Sequence, residues 1–147
     1  MIIKGSQSMI DFGAKLGAEL FPNAVITLNG ELGAGKTTLT KGIGQGLGVK
    51  KIISSPTFTI VKIYTGKLML YHFDAYRLEG SDEDLGFEDM FEDGGVSVIE
   101  WPEFIDDIIP AQHLDITIHK IDDETREVVL TPYGNQYDEL VRRIGND

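Results

Sequence analysis

Residues 24–47 read AVITLNGELGAGKTTLTKGIGQGL, and this stretch decides the fold. Its first residues are apolar or β-branched, which predicts a buried strand over 23–29. Gly30 to Thr37 then follow the pattern G-x-x-x-x-G-K-T, a loop that surrounds nucleotide phosphates with backbone N–H groups. Beyond the loop, apolar side chains recur at helical spacing and predict a helix over 37–47. A strand, a phosphate-binding loop and a helix are therefore expected in succession.

The loop supplies the groups that bind a nucleoside triphosphate. Gly30, Gly33 and Gly35 permit the tight turn that aims N–H groups at phosphate oxygens. The N-terminus of the following helix adds a partial positive charge. Lys36 is expected to reach the β- and γ-phosphates, and the Thr37 hydroxyl to ligate Mg²⁺. We therefore predict a nucleotide site with Mg²⁺ as its cofactor.

The composition is that of an ordinary soluble globular protein, with 41% hydrophobic and 25% charged residues in a chain of 147. This length predicts a single domain over residues 1–147. Cysteine is absent, which excludes disulfides and thiolate metal sites. No apolar run is long enough to span a bilayer, and residues 1–6 lack the pattern of a signal peptide. The expected location is therefore the cytoplasm, away from any membrane.

The formal net charge is −11, from 13 Lys and Arg against 24 Asp and Glu. Nucleic-acid binding draws most of its affinity from basic side chains that neutralise phosphates. This chain is therefore poorly equipped to hold RNA or DNA by itself, and any nucleic acid is expected to be met through a partner. The simpler interpretation is that the acidity only keeps the protein in solution.

Outside the central stretch, predicted strands alternate with predicted helices. Helices are predicted over 8–21, 102–109 and 135–144, and short helical turns over 81–91. A buried strand is predicted over 96–100, and hairpins at 58–64 with 68–73 and at 114–121 with 126–131. This alternation around a phosphate loop indicates an α/β protein, a three-layer sandwich with a parallel central sheet. The hairpins predict antiparallel strands that flank this parallel centre.

Hydrolysis needs an acid that serves the metal and a group that places the attacking water. Glu100 ends the apolar run 96–99 and is the candidate acid. Because Glu is one methylene longer than the commoner Asp, three roles stay open: metal ligand, ligand through water, or base. Asp74 ends another strand, at the ligand-binding edge of an α/β sheet, and is a candidate for orienting the water. His72 lies on the same strand face and is interpreted as a packed histidine, not a catalytic group.

Three other positions carry open alternatives. In the segment 54–58, SSPTF, Ser55 or Thr57 is a candidate for contacting Mg²⁺ or the terminal phosphate, as in loops that sense the γ-phosphate. The alternative is an ordinary loop before a strand. Arg77 pairs either with phosphate or, by a slight preference, with a neighbouring carboxylate. Trp101 follows the strand-end acid and either packs structurally, as is usual, or gates the site or contacts a partner.

Four blocks together resemble one known family: GELGAGKTT (30–38), SPTFTIV (55–61), YHFDAYRL (71–78) and VIEWPE (98–103). In order and spacing they are similar to the small bacterial ATPases of tRNA threonylcarbamoyladenosine biosynthesis, the TsaE family, over about residues 6–131. The first block is generic, whereas the other three are specific. The pair Glu100-Trp101 also matches the pattern of that family.

The resemblance implies a single-domain α/β ATPase that binds ATP and Mg²⁺ and hydrolyses slowly alone. It also implies two partner proteins that install threonylcarbamoyl on the adenosine beside the anticodon, so that this chain meets tRNA only indirectly. The implied catalytic residues are Lys36, Asp74 and Glu100. Thr37 and Glu100 would serve the metal, Ser55 and Thr57 would belong to a switch-like loop, and Trp101 would lie at the catalytic edge. The implied nucleotide-binding residues are Ser6, Gly33, Ala34, Gly35, Lys36, Thr37, Thr38 and Arg126, of which Ser6 and Arg126 would approach the adenine and ribose.

Three functions other than ATP hydrolysis are compatible with a phosphate-binding loop. A small-molecule kinase normally needs several arginines over the phosphates, whereas only Arg77 and Arg126 lie outside the tail. A GTPase is disfavoured because no N-K-x-D motif for reading guanine occurs. A nucleotide-binding interaction module that does not hydrolyse stays open, because turnover is invisible in a sequence.

Overall fold

A computed structural model describes residues 1–31, 33–54, 60–78 and 86–145, with the side chains of residues 77 and 78 excepted. Within these residues the strands are β1 (Ile2–Lys4), β2 (Val25–Asn29), β3 (Val61–Tyr64), β4 (Leu70–Asp74), β5 (Val96–Glu100), β6 (His113–Lys120) and β7 (Thr125–Tyr133). The α-helices are α1 (Ser6–Ala18), α2 (Lys36–Gly46), α3 (Phe87–Phe91) and α4 (Asn135–Ile144). Single 3₁₀ turns follow β4 at Ala75–Leu78 and β5 at Pro102–Ile105.

The strands form one sheet in the order β1-β7-β6-β2-β5-β4-β3. The four central strands β6, β2, β5 and β4 are parallel, whereas β1, β7 and β3 pair with their neighbours in the antiparallel sense. The register sets Leu28 beside Glu100, and Glu100 beside Asp74. Since parallel strands end at the same edge, the start of the glycine loop and both acids meet there.

Helices cover both faces of the sheet and make three layers. On one face, α1, α2 and α4 contribute the buried side chains Met9, Leu16, Leu39, Ile43 and Leu140 to the larger core. On the other face, Phe87 and Phe91 of α3 pack on Phe73, with the Phe73 and Phe87 ring centroids 4.9 Å apart. The predicted three-layer α/β sandwich with a parallel centre and antiparallel flanks is therefore confirmed.

Helices α1 and α2 approach each other at backbone contact. A Cβ atom on Gly13 would lie 2.6 Å from the carbonyl oxygen of Leu39, and one on Gly17 would overlap the carbonyl oxygen of Ile43. From the other side, a Cβ atom on Gly42 would overlap the carbonyl oxygen of Ile10. Since these neighbours are backbone atoms, a side chain at any of these positions would force the helices apart. The separation of the two helices therefore depends on glycine in both.

Most elements agree with those expected from the sequence. The strand 96–100 and the helix 135–144 have the predicted bounds, and both hairpins form. The first helix begins at Ser6 rather than residue 8, and the helix expected over 102–109 has only one 3₁₀ turn. Strand β1 was not predicted, because three residues are too few for an alternation to stand out. Of the turns expected over 81–91, residues 81–85 lie outside the described residues.

We expect Gly42→Ala to lower the free energy of unfolding by about 1–3 kcal/mol, because the added methyl group meets backbone of α1. This is the net change, because the steric cost would outweigh the stabilisation of about 1 kcal/mol that alanine brings to a helix interior relative to glycine. Gly44→Ala in the same helix is the matched control, since its Cβ atom would overlap no backbone atom and would approach closely only the end of the flexible Ile53 side chain. Urea unfolding followed by circular dichroism measures both variants. Equal stability of the two would contradict the close-packing argument.

Candidate functional site

The glycine loop turns sharply between β2 and α2. Gly33 and Gly35 have φ angles of 82° and 114°, in the left-handed region that favours glycine. Gly35 precedes the first residue of α2, and its carbonyl accepts the hydrogen bond of the Leu39 N–H. The first N–H groups of α2 therefore point back over the loop, where an anion finds both donors and the positive end of the helix dipole. Leu32, within this loop, lies outside the described residues.

A cavity of about 260 Å³ opens beside the loop at the end of the parallel strands. The loop and α2 form one wall, and the ends of β4 and β5 form the other. It brings together predicted site residues that are distant in sequence: Gly33, Gly35, Lys36, Thr37, Thr38, Asp74, Glu100 and Trp101. A cluster of N–H donors, one ammonium group and two carboxylates is the chemistry that a metal-bound polyphosphate requires.

The ammonium group of Lys36 is almost buried, with 6% of the side chain exposed. Its Nζ atom lies 3.9 Å from Glu100 Oε1 and 4.1 Å from the centroid of the Trp101 ring. The carboxylate and the aromatic face both compensate the cost of withdrawing this charge from water. Lys36 is thus held in the cavity by two groups that do not belong to the loop.

The Glu100 carboxylate is held from its other side by His72. The distance between His72 Nε2 and Glu100 Oε2 is 2.6 Å, and the His72 side chain is fully buried. The sequence interpretation of His72 as an ordinary packed histidine is thus incomplete, since the ring contacts the candidate acid directly. Its position on the same strand face as Asp74, two residues before the strand end, was the available signal.

Asp74 stands beside Glu100 in the register of β4 and β5. Its Oδ1 atom accepts a hydrogen bond of 3.1 Å from the backbone N–H of Tyr76, which follows in the 3₁₀ turn. This bond fixes the carboxylate at the mouth of the cavity, where it is half-buried. The two strand-end acids therefore differ in setting: Glu100 is buried against a histidine, whereas Asp74 faces the opening.

Trp101 forms the outer wall of the cavity in a strained conformation. Its φ and ψ angles are 57° and 52°, which are rare for a bulky residue and cost on the order of 1–2 kcal/mol. The ring is held by Tyr76, 5.2 Å away between centroids, and by Phe104, 6.5 Å away. This aromatic cluster points the indole at Lys36, so packing and contact with the site are achieved together.

A second cavity, of about 240 Å³, lies on the other side of the loop. It shares Gly35 and Thr38 with the first cavity, so the two are adjacent. Three of the predicted nucleotide-binding residues, Ser6, Ala34 and Arg126, line it together with residues that the sequence did not single out: Gly5, Met9, Asp123 and Glu124. Met9 and Ala34 give it an apolar floor, and the hairpin between β6 and β7 gives it a polar rim.

Arg126 ties this hairpin to the glycine loop. Its Nε donates to the carbonyl of Ala34 at 2.8 Å, and an Nη donates to the carbonyl of Asp122 at 2.6 Å. The other Nη lies 3.4 Å from the carbonyl oxygen of Gly33. Hydrogen bonds from the Thr125 side chain and the Glu124 backbone lower the pKa of Asp122 and so favour its charged form. Arg126 therefore supports the loop as well as lining the second cavity.

The residues at the first cavity suit Mg²⁺ better than a transition metal. Thr37, Asp74 and Glu100 offer hard oxygen atoms, and no group of three or more His, Cys, Asp or Glu ligands occurs in the described part of the chain. Mg²⁺ is usually bound through one or two carboxylates and phosphate oxygens and keeps several waters, so few protein ligands are needed. Ser55 and Thr57 lie outside the described residues, as does the side chain of Arg77.

The chain has the arrangement of a P-loop protein: a strand, a glycine loop and a helix that begins with a buried lysine, next to a strand-end carboxylate. The model of the family described as "Threonylcarbamoyl adenosine biosynthesis protein TsaE" matches residues 3–128. The chain belongs to this TsaE family.

Individual relatives agree with this assignment. A tRNA threonylcarbamoyladenosine biosynthesis protein TsaE from Bacillus subtilis is 47% identical over 124 residues, which cover 84% of this chain and 78% of that protein. The protein of the same name from Treponema pallidum is 36% identical, over 88% of this chain and 97% of its own length. The crystal structure of Bacillus subtilis YdiB superimposes with a TM-score of 0.87 at 36% identity, over 99% of this chain and 92% of that one. Among the described residues, none of the helices has the length and apolar character to cross a bilayer.

Replacing Arg126 with Met should loosen the glycine loop, because the carbonyls of Gly33 and Ala34 lose their guanidinium donor. The expected loss of stability is about 1–3 kcal/mol, with faster amide hydrogen exchange across residues 30–38. Arg143→Met is the control, since Arg143 makes exposed ion pairs with Glu19 and Glu139, which contribute little. Hydrogen exchange read by mass spectrometry compares them. Unchanged exchange in the loop of Arg126→Met would show that the support is not needed.

Proposed function

We propose that this protein is a Mg²⁺-dependent ATPase that acts with partner proteins in forming threonylcarbamoyladenosine in tRNA. The observation that carries the proposal is that Lys36 and Glu100 line one cavity at the glycine loop, with Lys36 Nζ and Glu100 Oε1 3.9 Å apart. A loop lysine and a strand-end acid in one cavity are the two groups that distinguish a hydrolytic P-loop site from an anion-binding turn.

The phosphates of ATP would lie across the loop, with the N–H groups of the start of α2 around the β-phosphate. Lys36 would then exchange Glu100 and the Trp101 ring for phosphate oxygens, which are stronger partners for an ammonium group. Lys36 lines the same cavity as the loop, so its ammonium group already lies near the proposed position of the phosphates. Glu100 Oε1 is released in the same step.

Thr37 and Glu100 would hold Mg²⁺, directly or through water, on the side of the cavity nearest the strand ends. When bound, the ion would neutralise charge that develops on the phosphate oxygens. Asp74, at the mouth of the cavity and fixed by the Tyr76 N–H, is suited to orient the attacking water. Trp101 closes the outer side and limits the entry of bulk solvent.

The nucleoside would occupy the second cavity, because that cavity adjoins the phosphate site through Gly35 and Thr38. Met9 and Ala34 supply an apolar surface for a purine, and Ser6 with the hairpin residues supplies polar groups at the rim. Adenine is favoured over guanine because the sequence lacks an N-K-x-D motif.

The role in tRNA modification is supported by family membership and by the names of the relatives. The net charge of −11 argues that tRNA is held by partners and not by this chain. A small-molecule kinase is less well supported, because Arg126, the guanidinium described beside the cavities, is engaged by carbonyls of the loop. The cytoplasm, where tRNA modification takes place, is the proposed location.

Two substitutions should separate binding from turnover. Lys36→Ala should weaken ATP binding at least tenfold, because it removes the cation that meets the β- and γ-phosphates. Glu100→Ala should leave the affinity within about threefold of wild type but lower single-turnover hydrolysis about a hundredfold or more. Isothermal titration with ATP and rapid-quench hydrolysis measure the two effects. Wild-type affinity in Lys36→Ala, or unchanged hydrolysis in Glu100→Ala, would sink the assignment of roles.

The partnership predicts weak ATP hydrolysis by the isolated protein and stimulation of about tenfold or more by the purified threonylcarbamoyl-transferring proteins. It also predicts negligible binding of tRNA by the isolated protein at physiological salt. Phosphate release, with and without the partners, and filter binding with labelled tRNA test both statements. Fast hydrolysis without partners would refute the partnership, and sub-micromolar tRNA affinity would refute the charge argument. Tight ATP binding without hydrolysis under either condition would favour the interaction-module alternative.

A further inference from the structure

We propose that His72 is a positioning residue for Glu100. Its ring N–H holds Oε2 of the carboxylate, so that Oε1 is directed to the phosphate cavity. The inference rests on the proposed ATPase function and adds to it a residue that does not touch nucleotide.

The sheet register places His72 within contact of Glu100 and away from solvent. His72 of β4 lies opposite Val98 of β5, and Glu100 is two residues further along β5 on the same face. The two side chains are therefore diagonal neighbours, and their 2.6 Å contact is in the short range of charge-assisted hydrogen bonds. Below them the same face carries the fully buried side chains of Leu70 and Val96, so the imidazole ring is shielded from water.

The hydrogen-bond inventory of the ring identifies the donor. His72 Nδ1 is buried and has no partner among the described residues. A proton on Nδ1 would leave an N–H group without an acceptor, which costs more than a bare lone pair. The tautomer with hydrogen on Nε2 avoids that cost and donates to Glu100 Oε2. The buried Nδ1 atom then stays without a hydrogen-bond partner, while Nε2 holds the carboxylate in a single orientation.

This orientation matters because Glu100 is long and has a competing partner. A glutamate side chain rotates about three bonds, and Lys36 Nζ lies 3.9 Å from Oε1. Without the bond to His72, the carboxylate would be free to turn both oxygens toward the lysine and would no longer present Oε1 to a metal ion. Partners in the second layer around a metal typically change metal affinity or activity by 10–100-fold, and we expect an effect of that size here.

Two variants of His72 separate positioning from packing. His72→Leu keeps an apolar volume but removes the donor, whereas His72→Gln carries an N–H donor of similar reach. For each, we would measure binding of ADP without metal, binding of ADP with increasing Mg²⁺, single-turnover ATP hydrolysis, and the melting temperature. We expect His72→Leu to raise the Mg²⁺ concentration for half-maximal effect at least tenfold and to slow hydrolysis similarly, with metal-free ADP binding within about twofold of wild type. His72→Gln should recover most of the loss.

Unchanged Mg²⁺ dependence in a folded His72→Leu variant would overturn the proposal. The proposal would also be overturned if both variants lost Mg²⁺ dependence and hydrolysis equally and in proportion to their melting temperatures, because a purely structural role would give that result. If His72→Leu does not fold, His72→Asn replaces it, because its shorter side chain withdraws the donor from Oε2. Failure of the proposed function has a different signature: the wild-type protein would not hydrolyse ATP with or without partners. The Mg²⁺-dependent ADP binding would still test His72 in that case.

Discussion

The parallel pairing of β2, β5 and β4 is the constraint on which the site depends. It sets the start of the glycine loop, Glu100 and Asp74 at one edge of the sheet, although they are separated by up to seventy residues in the chain. None of these groups could be moved by one residue without turning its side chain to the opposite face. The apolar cores on both faces hold this register, so packing energy far from the site determines the geometry within it.

The glycines between α1 and α2 extend that constraint to the loop. Helices α1 and α2 are in close backbone contact, and α2 carries Lys36, at its first position, next to Glu100 and Trp101. The same helix α1 begins at Ser6 and carries Met9, so it also builds one wall of the second cavity. Two helices in close contact thus carry residues of both halves of the proposed nucleotide site.

The charged and polar groups of the site compensate one another. Lys36 is neutralised by Glu100 and covered by Trp101, Glu100 is bonded to His72, and the loop carbonyls are occupied by Arg126. Each partner keeps a charged or polar group satisfied while it is buried. A metal-bound nucleotide would replace the first of these contacts and leave the others in place, which is how a rigid site accepts a ligand with little reorganisation.

The sequence by itself determined the class of fold and named most of the residues that the structure brings together at the candidate site. The G-x-x-x-x-G-K-T loop, the strand-end acids and Trp101 were readable because each depends on local patterns of two to eight residues. Only the tertiary structure decided which side chains and strands contact one another. Three of its features join segments that are distant in the chain: the contact of His72 with Glu100, the hydrogen bonds of Arg126 to the loop, and the pairing of the short strand β1 with β7. The strained backbone of Trp101 likewise had no signal in the sequence. Local propensity cannot encode such contacts, because they follow from strand order and register, which are set by the whole core at once.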